Sequence, residues 1–309
     1  MLDLIEIILP VFLVVGFGYV AVWQRLVSEV TINALMGFAQ KIAIPFLLFR
    51  AISTLDLGDG FQPALLISFY TGAVLCFAAG IIGSRFLFKR DWEDSVAIGF
   101  ACLFSNSVLL GLPISERAFG PDNLSANYAI IAFHAPVCYG VGITTMEIIK
   151  AKGAGFRVLV SKVASAMFKN ALILGILAGV AVNVSTVSLP VPVTDAIDLI
   201  VRTALPTALF GLGGILYRYR PEGDFRIIAM VCCISLILHP VIVYTLGSFT
   251  GLSKPAFRSM VITSAMAPGI NAYLFADMYG RARRVAASSV LLSTALCVIT
   301  AWVWLGILG

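Results

Sequence analysis

The sequence predicts an all-α membrane protein: ten transmembrane helices arranged as two inverted five-helix repeats. Three observations lead there. Hydrophobic residues make up 60% of the 309 residues and charged residues only 12%, against about 25% charged in a soluble domain, and the mean hydropathy is +1.00. Apolar runs of the roughly 20 residues that a bilayer crossing needs follow one another with short connections. The basic residues are not spread evenly: fifteen of the 21 fall in every second connection.

The runs place spans at about 4–24, 29–53, 62–88, 94–117, 125–148, 169–187, 191–217, 226–249, 256–280 and 284–308. The first has Asp3 and Glu6 at its flank, not the basic residues of a cleavable signal. The second carries Lys41 four residues before Pro45, and the seventh carries Arg202 four residues before Pro206. The fifth and eighth hold the two histidines, His134 and His239, each just before a proline. Cys232 and Cys233 are adjacent and the other four cysteines are scattered through apolar runs, a pattern of small core residues without metal spacing.

Connections after odd-numbered spans hold fifteen basic residues and those on the other side hold four: Arg50, Arg117, Lys254 and Arg258. By the positive-inside rule both termini face outside, and one span more or fewer would scramble the bias. The net charge of +5 follows from these loops and implies no nucleic acid. The long connection after Lys150 carries Val158, Leu159, Val163 and Met167 against Arg157, Lys162 and Lys169, the pattern of an amphipathic helix on the cytoplasmic face. The expected organisation is therefore a first repeat over residues 1–150, a cytoplasmic linker over 151–168 and a second repeat over 169–309.

The fourth span contains Ser105-Asn106-Ser107-Val108-Leu109-Leu110-Gly111-Leu112-Pro113. A lipid-facing helix has no use for these polar and helix-breaking residues. Pro113 has no N–H and crowds the carbonyl of Leu109, so the helix should bend or unwind. Freed backbone groups are tolerated at membrane depth only against protein or a water-filled cavity. The ninth span has the same character at Pro268, Gly269 and Asn271. Ile44-Pro45 recurs as Leu205-Pro206 at an offset of 161, Phe119-Gly120 as Tyr279-Gly280 at 160, and Asp94-Ser95 as Arg258-Ser259 at 164. An odd number of spans per repeat inverts the second copy. Inverted repeats with interrupted helices describe a secondary transporter.

Four motifs carry a family resemblance: Ile-Pro-x-Leu-Leu-Phe from Ile44, Asn-Ser-x-x-x-Gly-Leu-Pro from Asn106, Leu-Pro-x-Ala-Leu-Phe-x-Leu-Gly from Leu205, and Ala-Pro-x-x-Asn-Ala-Tyr-x-Phe-Ala from Ala267. Together they resemble the auxin efflux carrier family, over essentially the whole chain. The resemblance implies a scaffold of helices 1, 2, 6 and 7, a mobile transport domain of helices 3–5 and 8–10, and fourth and ninth helices that cross at mid-membrane. It implies elevator-type alternating access and a small organic anion such as malate or malonate as cargo. The short central connection matches bacterial members and makes auxin a weaker candidate.

Candidate substrate-binding residues are Ser105, Asn106, Ser107, Gly111, Pro113, Pro268, Gly269 and Asn271, with Lys41 and Arg202 as cations for an anionic cargo. Against this, the small and polar residues could serve only to satisfy kinks and let helices pack closely, and Asp198 could neutralise Arg202 as an i,i+4 pair. His239 is the candidate for proton coupling. No cofactor, metal or nucleic acid is expected. The bilayer and the cargo are the expected partners, with the scaffold helices as the candidate surface for a homodimer. The inner membrane is the expected location. A sodium-coupled symporter of the bile-acid type and a carrier of auxin-like aromatic acids are the alternatives. A membrane enzyme finds no support, because there is no His-Glu-x-x-His and no nucleophile beside a base.

Overall fold

The computed structural model describes residues 2–55, 62–120, 123–150, 171–185, 187–219 and 221–309, with side chains from residue 5 onward. All regular structure among them is helical. Seven helices are long and apolar enough to cross a membrane: Ile5–Trp23, Glu29–Ser53, Pro63–Leu87, Ser125–Lys150, Val191–Arg218, Phe225–Ser248 and Arg283–Leu308. Ala171–Ser185, a shorter apolar helix, occupies the sixth expected span. In the fourth and ninth, two helices are separated by non-helical backbone. The linker expected over 151–168 lies outside the described residues.

In chain order the α-helices are α1 (Leu2–Trp23), α2 (Glu29–Phe38), α3 (Ile44–Ser53), α4 (Pro63–Ile82), α5 (Trp92–Leu103), α6 (Leu112–Phe119), α7 (Ser125–Lys150), α8 (Ala171–Ser185), α9 (Val191–Arg218), α10 (Phe225–Cys233), α11 (His239–Ser248), α12 (Lys254–Ser264), α13 (Ile270–Tyr279) and α14 (Arg283–Leu308). Side-chain caps set several starts. Asp91 accepts from the Asp94 N–H at 2.7 Å before α5, and Ser28 accepts from Thr31 before α2. Each cap satisfies one of the orphan donors of a first turn.

Wider π-helical turns occur at Ala39–Ala43, Ser107–Gly111 and Ile234–Leu238, and each ends two residues before a proline: Pro45, Pro113 and Pro240. A proline removes one backbone donor and pushes on the carbonyl one turn back. An extra residue in the turn relieves that clash and leaves a carbonyl seeking a partner. Trp304 supplies one such partner, its Nε1–H donating to the Leu236 carbonyl at 3.1 Å. Pro10, Pro136 and Pro206 instead sit inside continuous α-helices. Pro45 and Pro206, paired by the sequence offset, thus differ in local structure.

The chain divides into two compact units. One comprises Pro10–Phe61 and Ala164–Arg218, holding most of α1 together with α2, α3, α8 and α9. Without a hydrophobic drive between helices in lipid, small residues that admit a neighbouring backbone do much of the packing. A Cβ at Gly213 of α9 would overlap the Val15 carbonyl of α1. Asn183 of α8 donates to the carbonyls of Ile52 and Leu55 at 2.9 and 2.7 Å, satisfying the end of α3. Arg50 Nε bonds Asp198 Oδ1 at 2.8 Å, joining α3 to α9.

The other unit comprises Met1–Leu9, Gln62–Val163 and Tyr219–Gly309. Its core includes Phe100 of α5 stacked on Phe275 of α13, with ring centroids 3.9 Å apart. Gly142 of α7 leaves room for both rings. Arg281, between α13 and α14, reaches Asp91 and Glu93 at the start of α5. The two interrupted spans are thereby held together at the loop end as well as within the core.

Candidate functional site

The α5 helix stops at Leu103, and Phe104 and Asn106 take non-helical backbone angles before the π turn at Ser107. The α12 helix stops at Ser264 and α13 begins at Ile270. The two unwound segments pair. Asn106 N donates to the Ala267 carbonyl at 2.8 Å and Gly269 N to the Phe104 carbonyl at 2.9 Å, forming an isolated antiparallel bridge between Ser105 and Pro268. Those two residues occupy the position whose own N–H and C=O groups point away from the partner. A proline costs no ladder hydrogen bond there. The pairing satisfies backbone that would otherwise stand unpaired at depth.

The outward carbonyl of Ser105 is also satisfied. It accepts from Ser107 N at 2.9 Å and contacts Nε2 of His134, on α7, at 3.0 Å. A carbonyl can only accept, so Nε2 carries the proton and Nδ1 is the bare nitrogen, facing the Cys138 thiol at 3.8 Å. The ring lies edge-on to Phe104, with centroids 4.5 Å apart.

Asn106 is the pivot. Its backbone carbonyl accepts from Leu110 and Gly111, and its side-chain Oδ1 accepts from Leu109 N at 3.2 Å. It therefore caps the π turn as an asparagine caps a helix. The cap fixes the amide: the oxygen faces the turn, and the two N–H groups of Nδ2 point elsewhere. Among the described residues Nδ2 is buried without a hydrogen-bond partner, and so is the Oγ of the preceding residue, Ser105. A buried unpaired polar group costs about 1–3 kcal/mol. Two of them at one break in a helix are what a site for a hydrogen-bonding cargo looks like.

Of the other candidates, Ser107, Gly111 and Pro113 are buried in the same turn. Gly111 faces Thr263 and Met266 from the α12 side, and a Cβ there would meet them at ordinary contact distance. Gly269 lies against Asn106 and the Phe104 ring, and Asn271 sits in the first turn of α13, accepting at Oδ1 from Tyr139 OH at 3.0 Å. The structure thus gathers Ser105, Asn106, Ser107, Gly111, Pro113, Pro268, Gly269 and Asn271 into one unit. Lys41, in the Ala39–Ala43 turn, and Arg202, in α9, belong to the other unit and are exposed. The neutralising pair with Asp198 is replaced: Asp198 takes Arg50 at 2.8 Å, across α3 and α9, instead of its helical neighbour.

His239 opens α11, is buried, and lies edge-on to Phe69 at 5.3 Å. Among the described residues its Nε2 meets no hydrogen-bond partner. Three side chains that the sequence did not mark as site residues touch the paired segments or their flanks. His134 holds Ser105, Tyr139 holds Asn271, and Asn127 bridges Ser115 and Thr263 at 2.9 Å each. All three come from α7, which carries no break to draw attention to it.

Residues 3–305 match the family described as "Membrane transport protein". The chain is also 24% identical over 304 residues to a protein of Rhizobium meliloti (strain 1021) named "Putative malonate transporter", covering 97% of this chain and 94% of that one.

Proposed function

The chain belongs to the membrane transport protein family of auxin efflux carriers and is a transporter rather than an enzyme; from that premise we propose that it carries small dicarboxylates of the malonate class across the inner membrane. The observation that carries this reading is the pair of buried, unpartnered polar groups at the break, Asn106 Nδ2 and Ser105 Oγ. The cap to Leu109 leaves Asn106 only donors to offer, and a carboxylate only accepts. The name given to the Rhizobium relative supports the same class of cargo.

The paired segments are proposed to be the crossing of two interrupted helices, one from each of two inverted repeats. In support, Ser105 and Pro268 lie 163 residues apart, within the offsets of 160 to 164 that align the halves. The grouping of α4–α7 with α10–α14 supports a transport domain moving against a scaffold of α1–α3, α8 and α9 in an elevator-type cycle. Lys41 and Arg202 would supply attraction for an anion from the scaffold. His239 would carry a coupling proton; its burial, with Nε2 unpartnered among the described residues, supports this. The distribution of basic residues supports both termini outside.

Uptake of labelled malonate into proteoliposomes containing the purified protein tests the proposal. The expected result is saturable uptake, competed by unlabelled malonate and malate and not by their amides. Protein-dependent flux of a neutral or cationic solute without carboxylate competition would overturn the cargo assignment.

A further inference from the structure

Asn106 and Asn271 stand on opposite sides of the bridge, and they share one feature. Each side-chain carbonyl oxygen is already taken, by Leu109 N and by Tyr139 OH respectively. In Asn106 the backbone enforces this, because an N–H must meet an oxygen. In Asn271 a tyrosine from a different helix does it. The hydroxyl of Tyr139 has Asn271 as its hydrogen-bond partner among the described residues. Were the amide turned over, the hydroxyl would accept from Nδ2 and its own proton would lack an acceptor among the described residues, an unfavourable state for a half-buried group. The arrangement in which Tyr139 donates therefore prevails, and the N–H groups of Asn271 are left uncommitted.

The tyrosine is itself held. Its ring packs against Phe100, Phe104 and Phe275, with centroids 5.4, 5.8 and 6.5 Å away. Phe104 ends the first helix segment before the break, and Phe275 lies one turn beyond Asn271 in α13. The hydroxyl is thus positioned by rings belonging to both interrupted spans.

Resting on the carboxylate reading above, we infer that Tyr139 is a specificity-determining positioning residue: its hydroxyl locks the Asn271 amide so that both asparagines present only donors to the cargo. A site of donors alone accepts a carboxylate at either end. It rejects the isosteric amide, whose N–H groups would face N–H groups. Exclusion of this kind comes from unpaired like groups and not from size.

The test is binding of malonate and of malonamate, its half-amide, by isothermal titration calorimetry to the purified protein in detergent. Wild type should prefer malonate. Tyr139→Phe keeps the ring packing but removes the hydroxyl, freeing the Asn271 amide to turn. Its preference for malonate over malonamate should fall about tenfold, the scale of a hydrogen bond to a charged group, with most of the change in malonate affinity. Asn271→Asp provides a second variant of the same shape, in which an acceptor faces the cargo, and malonate binding should be lost. Unchanged discrimination in Tyr139→Phe, or wild-type malonate affinity in Asn271→Asp, overturns the inference and leaves the carboxylate reading standing. A wild-type protein without preference for the acid overturns both.

Discussion

Two spans of this protein carry the same device with different outcomes. In Glu29–Ser53 a π turn at Ala39–Ala43 ends two residues before Pro45, and the helix continues through it. In the span from Trp92 to Phe119 a π turn at Ser107–Gly111 ends two residues before Pro113, and the chain upstream is unwound. The difference lies at the residue seven before each proline. Phe38 stands there in the first and Asn106 in the second. Phe38 has no side-chain oxygen with which to cap a new start, so the α-helical ladder continues. Asn106 caps the π turn, and Ala267, Gly269 and His134 take up the backbone groups that unwinding exposes. The third such turn, before Pro240, has Cys233 at the corresponding position and also stays helical. In all three spans a proline follows a π turn; the span that opens has in addition a polar cap and a partner segment.

Substitutions can break this contrast. The largest effect is expected from Asn106→Leu, which removes both the cap and the donor. Malonate uptake should fall by about two orders of magnitude, since the loss of a hydrogen bond to a charged group is joined by the loss of the break itself. Initial-rate uptake in proteoliposomes, with membrane insertion checked separately, measures it. Next comes His134→Leu. Ser105 keeps one partner, but its carbonyl loses the imidazole donor, and the folded state should lose about 0.5–1.5 kcal/mol. Thermal unfolding in detergent should show this, with His134→Gln, which retains a donor, closer to wild type.

Phe38→Asn sharpens the contrast from the other side. It places a cap before Pro45 without any segment to receive the unwound backbone. The helix should stay closed and uptake should remain within about twofold, because the continuous helix on either side of the π turn still pairs its own backbone. Wild-type-like folding with markedly altered transport would mean that the cap alone opens the helix. The smallest effect belongs to Arg281→Ala. Its ion pairs with Asp91 and Glu93 are partly exposed, and such pairs contribute about 0–1 kcal/mol. Any loss in thermal stability should shrink further at high salt.

The break at Ser105–Pro113 and its counterpart at Pro268–Asn271 were legible because serine, asparagine, glycine and proline have no lipid-facing role at mid-span. So were the seven continuous spans, from apolar length alone. The pairing of the two breaks was not. It depends on hydrogen bonds from Asn106 to Ala267 and from Gly269 to Phe104, far apart in the chain, and local composition carries no trace of register. Tyr139 and Asn127 were missed for a related reason, and His134, noted only as a histidine before a proline, gave no sign of its contact with Ser105. They lie on an unbroken helix whose pattern is apolar, and their importance comes from the neighbours they meet. Asp198 misled in the opposite direction: helical spacing offered Arg202, while packing of α3 on α9 brought Arg50 to 2.8 Å.

The account rests on the donors of Asn106 receiving a carboxylate. The measurement that reaches this most directly is malonate binding by calorimetry to wild type and to Asn106→Asp, with circular dichroism of both. The aspartate can still cap Leu109 through one oxygen, so the break and the helix content should be unchanged, while its other oxygen meets the anion. The account predicts malonate binding by wild type and none measurable by the variant. Equal affinity in the two proteins would contradict it, because a carboxylate cargo cannot be held by a second carboxylate in the same place.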